Sequence, residues 1–158
     1  MPTADTPHDA ARAIVIGSDH AALGLKETVK TFLSADGYNV VDMGTHEAVS
    51  VNYADYAKKV AEAVSSGVYS RGILLCGTGL GMSMAANRYP HVRAALCNDV
   101  FSAGMSRKHN DANILVMGGR VIGDVLALEV VKTWLNTPFE GGRHKIRIDS
   151  FDEITRLC

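Results

Sequence analysis

Short apolar runs alternate with amphipathic stretches along most of the chain, and this alternation predicts the architecture. Residues 13–17, Ala-Ile-Val-Ile-Gly, are an uninterrupted apolar run, the pattern of a strand buried on both faces. The run breaks at Ser18, Asp19 and His20, and a helical pattern follows over about residues 21–35. Ser18 or Asp19 can cap that helix by accepting from its free amides. Residues 39–42 read as a second strand, and a loop from Gly44 runs to about residue 52. A helix over 54–66 carries Tyr56, Val60 and Val64 along one face. Residues 72–76, Gly-Ile-Leu-Leu-Cys, form the clearest strand signal, followed by a glycine-rich turn and a helix to about residue 87. Strand four is expected at 93–97, a short helix at 101–108 and strand five at 113–117. A long helix over 121–135 would turn Val125, Leu128, Val131 and Leu135 to its apolar side, and the basic stretch after Pro138 ends in a last helix.

Strands buried on both faces and separated by helices imply a parallel sheet covered on each side. The expected fold is therefore α/β, a Rossmann-like three-layer sandwich around a five-stranded parallel sheet. Residues 1–11 are expected to be a flexible tail and 12–158 one domain. In such sheets ligands bind beyond the carboxyl ends of the strands. Chemistry is thus expected among Asp19, His20, Gly44 to His46, Cys76 to Gly81, Asn98, Asp99 and Gly118 to Arg120.

Bulk properties narrow the classes. The chain has 158 residues, enough for one ordinary core, and its net charge is −1, which gives no general pull toward nucleic acid or membrane. The polar first eleven residues do not resemble a secretory signal, and no apolar run approaches the ~20 residues of a membrane span. Three cysteines without paired spacing argue against a disulfide framework and for a reducing compartment, by default the cytoplasm.

Cys76-Gly77-Thr78-Gly79-Leu80-Gly81 lies where a buried strand meets a helix. Glycines at alternate positions let the backbone turn with its amides unobstructed, and the helix start adds a positive dipole end. Together these make an anion cradle. The spacing lacks the full dinucleotide fingerprint and the Lys-Ser/Thr of a P-loop. Asp99 near the next strand end keeps a nucleotide reading open. A thiol at the mouth of this loop can act as a base on a C–H bond while the amides hold the resulting oxyanion. The residues alone equally allow Cys76 to be the last buried position of its strand. Cys97 closes another strand with no glycine loop after it and reads as structural; Cys158 has no partner to argue from.

The remaining candidates each carry two readings. Asp19 and His20 can hold a sugar hydroxyl and an anion, or can be helix caps. His109, with Asn110 in a loop before strand five, can be a general acid or a solvated imidazole. Arg143 and Arg147, four apart with His144 between them, make a fork pair suited to phosphate or a solvated helix face. His8 and His91 receive no role, the methionines read as core filler, and no His, Cys and carboxylate set has metal-ligand spacing.

Taken together in order, Gly17 to Ala21, Cys76 to Gly81 with Ala85 to Asn87, Ser106 to Asp111, Gly118 to Val121 and Glu140 to His144 resemble the type B ribose-5-phosphate isomerase family. That family also includes galactose-6-phosphate and allose-6-phosphate isomerases. The resemblance implies a cofactor-free aldose–ketose isomerase of the non-oxidative pentose phosphate pathway, converting D-ribose 5-phosphate to D-ribulose 5-phosphate through an enediolate. Catalysis would fall to Cys76 as the base, to Thr78 with the amides around Gly77, Gly79 and Gly81 steadying the enediolate, and to His109 opening the furanose ring. Asp19, His20, Tyr53, Asn110 and Arg120 would contact the sugar, while His20, Arg143 and Arg147 would hold the phosphate. It further implies a homodimer, or a tetramer, with composite sites to which a partner subunit can supply His109, Asn110 and Arg120. The family pattern Asp-Tyr-Pro reads Asn52-Tyr53-Ala54 here. A six-carbon sugar-phosphate isomerase is the near rival. More distant are a nucleotide-binding module built on the Gly77 loop and an RNA-binding protein using Arg143 to Arg147.

Overall fold

The computed structural model describes residues 12–155; the expected tail over 1–11, His8 and Cys158 lie outside them. Five strands form one parallel sheet in the order β2-β1-β3-β5-β4: β1 (Ala13–Ser18), β2 (Asn39–Asp42), β3 (Gly72–Cys76), β4 (Ala94–Leu96) and β5 (Ile114–Gly118). The helices are α1 (Leu23–Ala35), α2 (Tyr53–Ser65), α3 (Leu80–Ala86), α4 (Val100–Asn110), α5 (Asp124–Asn136) and α6 (Arg143–Thr155).

Every residue of β3 and β5 is buried, because both strands lie inside the sheet with helices on either face. Side chains alternate between those faces. Ile14, Ile16, Ile73, Leu75, Leu115 and Met117 pack with α1, α4 and α5. Val15, Leu74, Cys76, Ile114 and Val116 pack with α2 and α3. The expected three-layer α/β architecture is the observed one.

Several boundaries differ from the sequence reading, each for a local reason. The helix expected from residue 21 opens as a 3-10 turn, His20–Ala22, capped by the Asp19 carboxylate before α1 begins. The long helix starts at Asp124 and not at 121, because the Val121 and Ile122 amides both bond the Gly118 carbonyl in a turn. Its buried stripe is Ala127, Val130, Val131, Trp134 and Leu135, so Val125, expected inside, is 81% exposed. Strand β4 is shortened at both ends. The Arg93 amide is taken by the Asn113 side chain, and Asn87 bonds both the N–H and the C=O of Ala94. The last helix begins at Arg143 and packs on α4.

Candidate active site

Cys76 ends β3 in register with Gly118 of β5, at the carboxyl edge of the sheet. It is 4% exposed, yet it is not simply packed away, for its Sγ accepts a hydrogen bond from the Gly79 N–H at 3.1 Å. That contact depends on the shape of the loop. Gly79 is left-handed, φ +80°, and a Cβ there would lie 2.4 Å from Leu96 Cδ1 and 3.1 Å from the Met117 carbonyl carbon. An N–H aimed at sulfur stabilises negative charge on it. Burial pushes the Cys97 thiol up to about 11, although Ser106 hydrogen-bonds it. It sits in the core as read from the sequence.

The glycine loop is stapled to β5 beyond the sheet. The Gly119 amide bonds the Cys76 carbonyl at 2.8 Å and the Arg120 amide bonds the Gly77 carbonyl at 2.9 Å. Thr78 is exposed, and its hydroxyl oxygen accepts from the Leu80 N–H at 3.3 Å. The Gly79 and Leu80 amides are therefore engaged inside the loop. Those of Gly77, Thr78 and Gly81 have no protein acceptor among the described residues. Gly81 is small by necessity, since a Cβ on it would be 2.4 Å from Tyr53 Cε2, which puts the tyrosine ring directly against the loop. Tyr53 itself is set by the start of α2, where Asn52 caps the helix by accepting from the Ala54 N–H at 3.1 Å. A proline at 54 would have no such N–H, so Asn52 and Ala54 form a matched pair.

Asp19 and His20 follow β1, the strand paired with β3, at the same carboxyl edge of the sheet. One Asp19 oxygen caps the 3-10 turn through the Ala21 N–H, and its own amide bonds the Leu75 carbonyl. His20 Nδ1 accepts from the Val51 amide at 3.2 Å, which leaves the ring proton on Nε2 as a donor. The loop that carries Val51 is anchored by a buried charge cluster. Lys26, 0% exposed, bonds both Asp42 and the Thr45 carbonyl, and Lys30 reaches Asp42 at 2.8 Å. Burial would raise the Asp42 carboxyl, but bonds from Lys30, Lys26 and the Gly44 N–H outweigh it and hold that group below the usual carboxylate range.

Arg120, one of the residues a partner subunit could supply, lies beside Gly77 of its own chain: a Cβ on that glycine would be 3.8 Å from Arg120 Nη1. Its guanidinium has no protein partner among the described residues. Asp99, the residue on which a nucleotide reading depended, is spent as the α4 cap, accepting from both the N–H and the hydroxyl of Ser102 at 2.7 Å. These bonds lower its carboxyl.

The remaining candidates are elsewhere. Helix α4 leaves the carboxyl end of β4 and returns to the amino end of β5, and Arg93, at the start of β4, pairs with Asp111. His109 and Asn110 in its last turn are thus displaced from the Cys76 edge by roughly 16 Å, the length of an 11-residue helix. Arg143 and Arg147, on exposed turns of α6, gather at that amino end and not with His20. There the His109 ring stacks on His144 at 4.2 Å, and Glu140 Oε2 lies 3.7 Å from His144 Nε2. Burial, then the His109 ring and the Arg143 charge, lower the His144 imidazole, while Glu140 acts the other way. Sequence spacing had excluded any metal-ligand set, yet His109, Glu140 and His144 bring their donor atoms within 4.8 Å of one another. The only linear signal was the i, i+4 relation of Glu140 to His144; His109 joins them through tertiary packing. Lys26 was also missed, because a lysine in a helical pattern reads as a solvated position.

One chain thus carries two clusters of polar chemistry at opposite ends of its sheet. The sequence profile of the ribose/galactose isomerase family matches residues 14–151, which include both clusters. The chain belongs to that family. Its isomerase relatives align over nearly their whole length. Ribose-5-phosphate isomerase B of Escherichia coli (strain K12) is 42% identical over 143 residues, 90% of this chain and 96% of that protein. D-erythrulose-4-phosphate isomerase of Pectobacterium atrosepticum is 44% identical over 132 residues, 82% of this chain and 86% of that protein. The solved structure of Clostridium thermocellum ribose-5-phosphate isomerase B superposes with a TM-score of 0.90 at 53% identity, covering 92% of this chain and 98% of that one.

Proposed function

We propose that the protein interconverts D-ribose 5-phosphate and D-ribulose 5-phosphate, with Cys76 as the base. The observation that carries this reading is the Gly79 N–H donating to Cys76 Sγ beside a loop whose Gly77, Thr78 and Gly81 amides are unspent. A thiolate here removes the proton from C2 of the open-chain aldose, and the electron pair moves through C1 onto the carbonyl oxygen. The Gly77, Thr78 and Gly81 amides, with the Thr78 hydroxyl, take up the enediolate charge. Returning the proton to C1, with the O2 proton passing to O1, yields the ketose. Oxidation at C2 balances reduction at C1 within one molecule, so the equation needs no external redox partner.

Asp19, Tyr53 and Arg120 face the sugar in this reading, and His20 Nε2–H meets the phosphate from the same chain. The ring-opening acid is the partner subunit's His109, with the partner subunit's Asn110 beside it and Arg143 of the partner subunit and Arg147 of the partner subunit completing the phosphate grip. Two observations favour a homodimer of this kind. Within a chain these residues sit at the wrong end of the sheet for Cys76. Also, Val100 (42% exposed), Phe101 (73%), Val121 (56%) and Val125 (81%) leave an apolar surface at the carboxyl edge for a second copy to cover. No helix among the described residues is long and apolar enough to cross a membrane. A reducing cytoplasm suits a reaction that depends on a free thiol.

The test is direct. In the presence of a chelator, the purified chain should convert ribose 5-phosphate to the ketose. Cys76→Ala should stay folded and lose at least about a hundredfold in kcat, since general-base work contributes about 10²–10⁴. Near-normal turnover in that variant would reject Cys76 as the base. A panel of four-, five- and six-carbon aldose phosphates, ranked by kcat/KM, fixes the chain length; allose 6-phosphate or galactose 6-phosphate in first place would overturn the pentose assignment.

A further inference from the structure

We infer that His109, His144 and Glu140 form a binding site for a zinc-type divalent cation, at the end of the sheet away from Cys76. Their donor atoms all lie within 4.8 Å of one another. His109 stands in the last turn of α4. The Glu140 amide donates to the Lys108 carbonyl at 3.1 Å, which ties the carboxylate to the residue preceding His109. Gly141 and Gly142, left-handed at φ 66° and 53°, then reverse the chain. The His144 amide bonds the Gly141 carbonyl at 3.0 Å as α6 opens. Two backbone segments, the end of α4 and the turn over 140–144, are thus stapled together, and between them they present three metal-ligating side chains.

The donors are also unspent. No hydrogen bond among the described residues uses either imidazole, and the 3.7 Å gap from Glu140 to His144 is too long to be one. Two imidazoles and a carboxylate are the donor set of open zinc sites, with bonds of about 2.0–2.2 Å and a fourth position for water. Hard cations such as magnesium and calcium prefer all-oxygen cages and are disfavoured. Binding requires the rings, now parallel within 10° at 4.2 Å, to fan apart so that their lone pairs converge. Glu140, with its side chain 50% exposed, is free to swing in. The neighbouring Arg143, Arg147 and Lys108 charges oppose a cation and weaken its binding. An ion here occupies the His109 lone pair and so brakes ring opening; that consequence, but not the site itself, rests on the proposed reaction.

The test uses the untagged full-length chain, freed of chelator and without sugar phosphate, titrated with zinc(II) by calorimetry and with cobalt(II) by absorption. The expected result is about one ion per chain, with cobalt d–d bands and no thiolate charge-transfer band. Glu140→Gln and His144→Asn should each weaken binding at least about tenfold. Glu140 is half exposed, so Glu140→Gln retains the fold whatever becomes of His144→Asn, and circular dichroism checks both. No binding, unchanged affinity in Glu140→Gln, or a thiolate charge-transfer band would overturn the proposal. Turnover assays then read the brake separately: zinc should inhibit the parent at concentrations that spare Glu140→Gln. Absent binding leaves the isomerase reading intact, and binding by a chain without turnover leaves the site intact.

Discussion

Replacing Gly79 with alanine tests whether the loop works by aiming an N–H at Cys76. The backbone there has φ +80°, and the new methyl would meet Leu96 Cδ1 at 2.4 Å and the Met117 carbonyl carbon at 3.1 Å. Left-handed backbone costs an L-residue roughly 1–2 kcal/mol. The Leu96 methyl can rotate aside at about 0.5–1.5 kcal/mol, but the Met117 contact is with buried β5 and yields only if the loop moves. The expected loss of stability is about 2–3 kcal/mol. Moving the loop tilts the Gly79 N–H away from sulfur, and a hydrogen bond to a charged acceptor is worth about 1.5–3 kcal/mol. That corresponds to a fall in kcat of roughly ten- to a hundredfold, with KM little changed because phosphate anchoring is untouched. Urea titration reads the first number and steady-state kinetics the second. Gly24→Ala is the control: nothing lies within 4 Å of its Cβ position and its φ is ordinary, so it should be neutral or slightly stabilising. A Gly79→Ala enzyme that is destabilised as calculated but keeps wild-type kcat would refute the reasoning.

Other expectations follow from the same geometry. Mixing Cys76→Ala chains with His109→Asn chains, each inactive alone, should restore up to about a quarter of wild-type activity, because half the dimers are mixed and each carries one intact site; no recovery after confirmed subunit exchange would rule out a composite site. Asp42, whose ordinary value is 3.8, is held lower in the fold by its lysine contacts. Its contribution to stability is therefore full above that value and is lost as pH falls through the depressed folded value. Denaturant melts from about pH 5 down to pH 2 should fall more steeply for the parent than for Asp42→Asn; parallel curves would show that Asp42 contributes nothing to acid sensitivity.

The sheet was legible because both of its faces are covered: β3 and β5 had to be apolar throughout, and their runs could be read directly. The Cys76 loop was legible for a related reason, since its glycines serve tight backbone contacts that sequence records. Element ends were harder, because they depend on side chains such as Asn87, Asn113 and Asp99 that take backbone bonds across 3 to 20 residues. Val125 misled because an apolar residue at helical spacing can serve a surface as well as a core. The division of polar residues between two ends of the sheet follows from the direction of α4, which no linear motif states. Likewise Lys26 is buried only because Asp42 and the Thr45 carbonyl meet it from another strand.

Strand β4 has a bearing on how copies of this protein can meet. It is an outer strand of only three residues, and the carboxamide of Asn87 occupies both hydrogen-bonding groups that Ala94 would offer a neighbour. An approaching β-segment finds half of that border already satisfied, so ladder extension and the fibrous growth it invites are blocked on this side. Any contact made on that side must use side chains of the flanking helices and not backbone pairing.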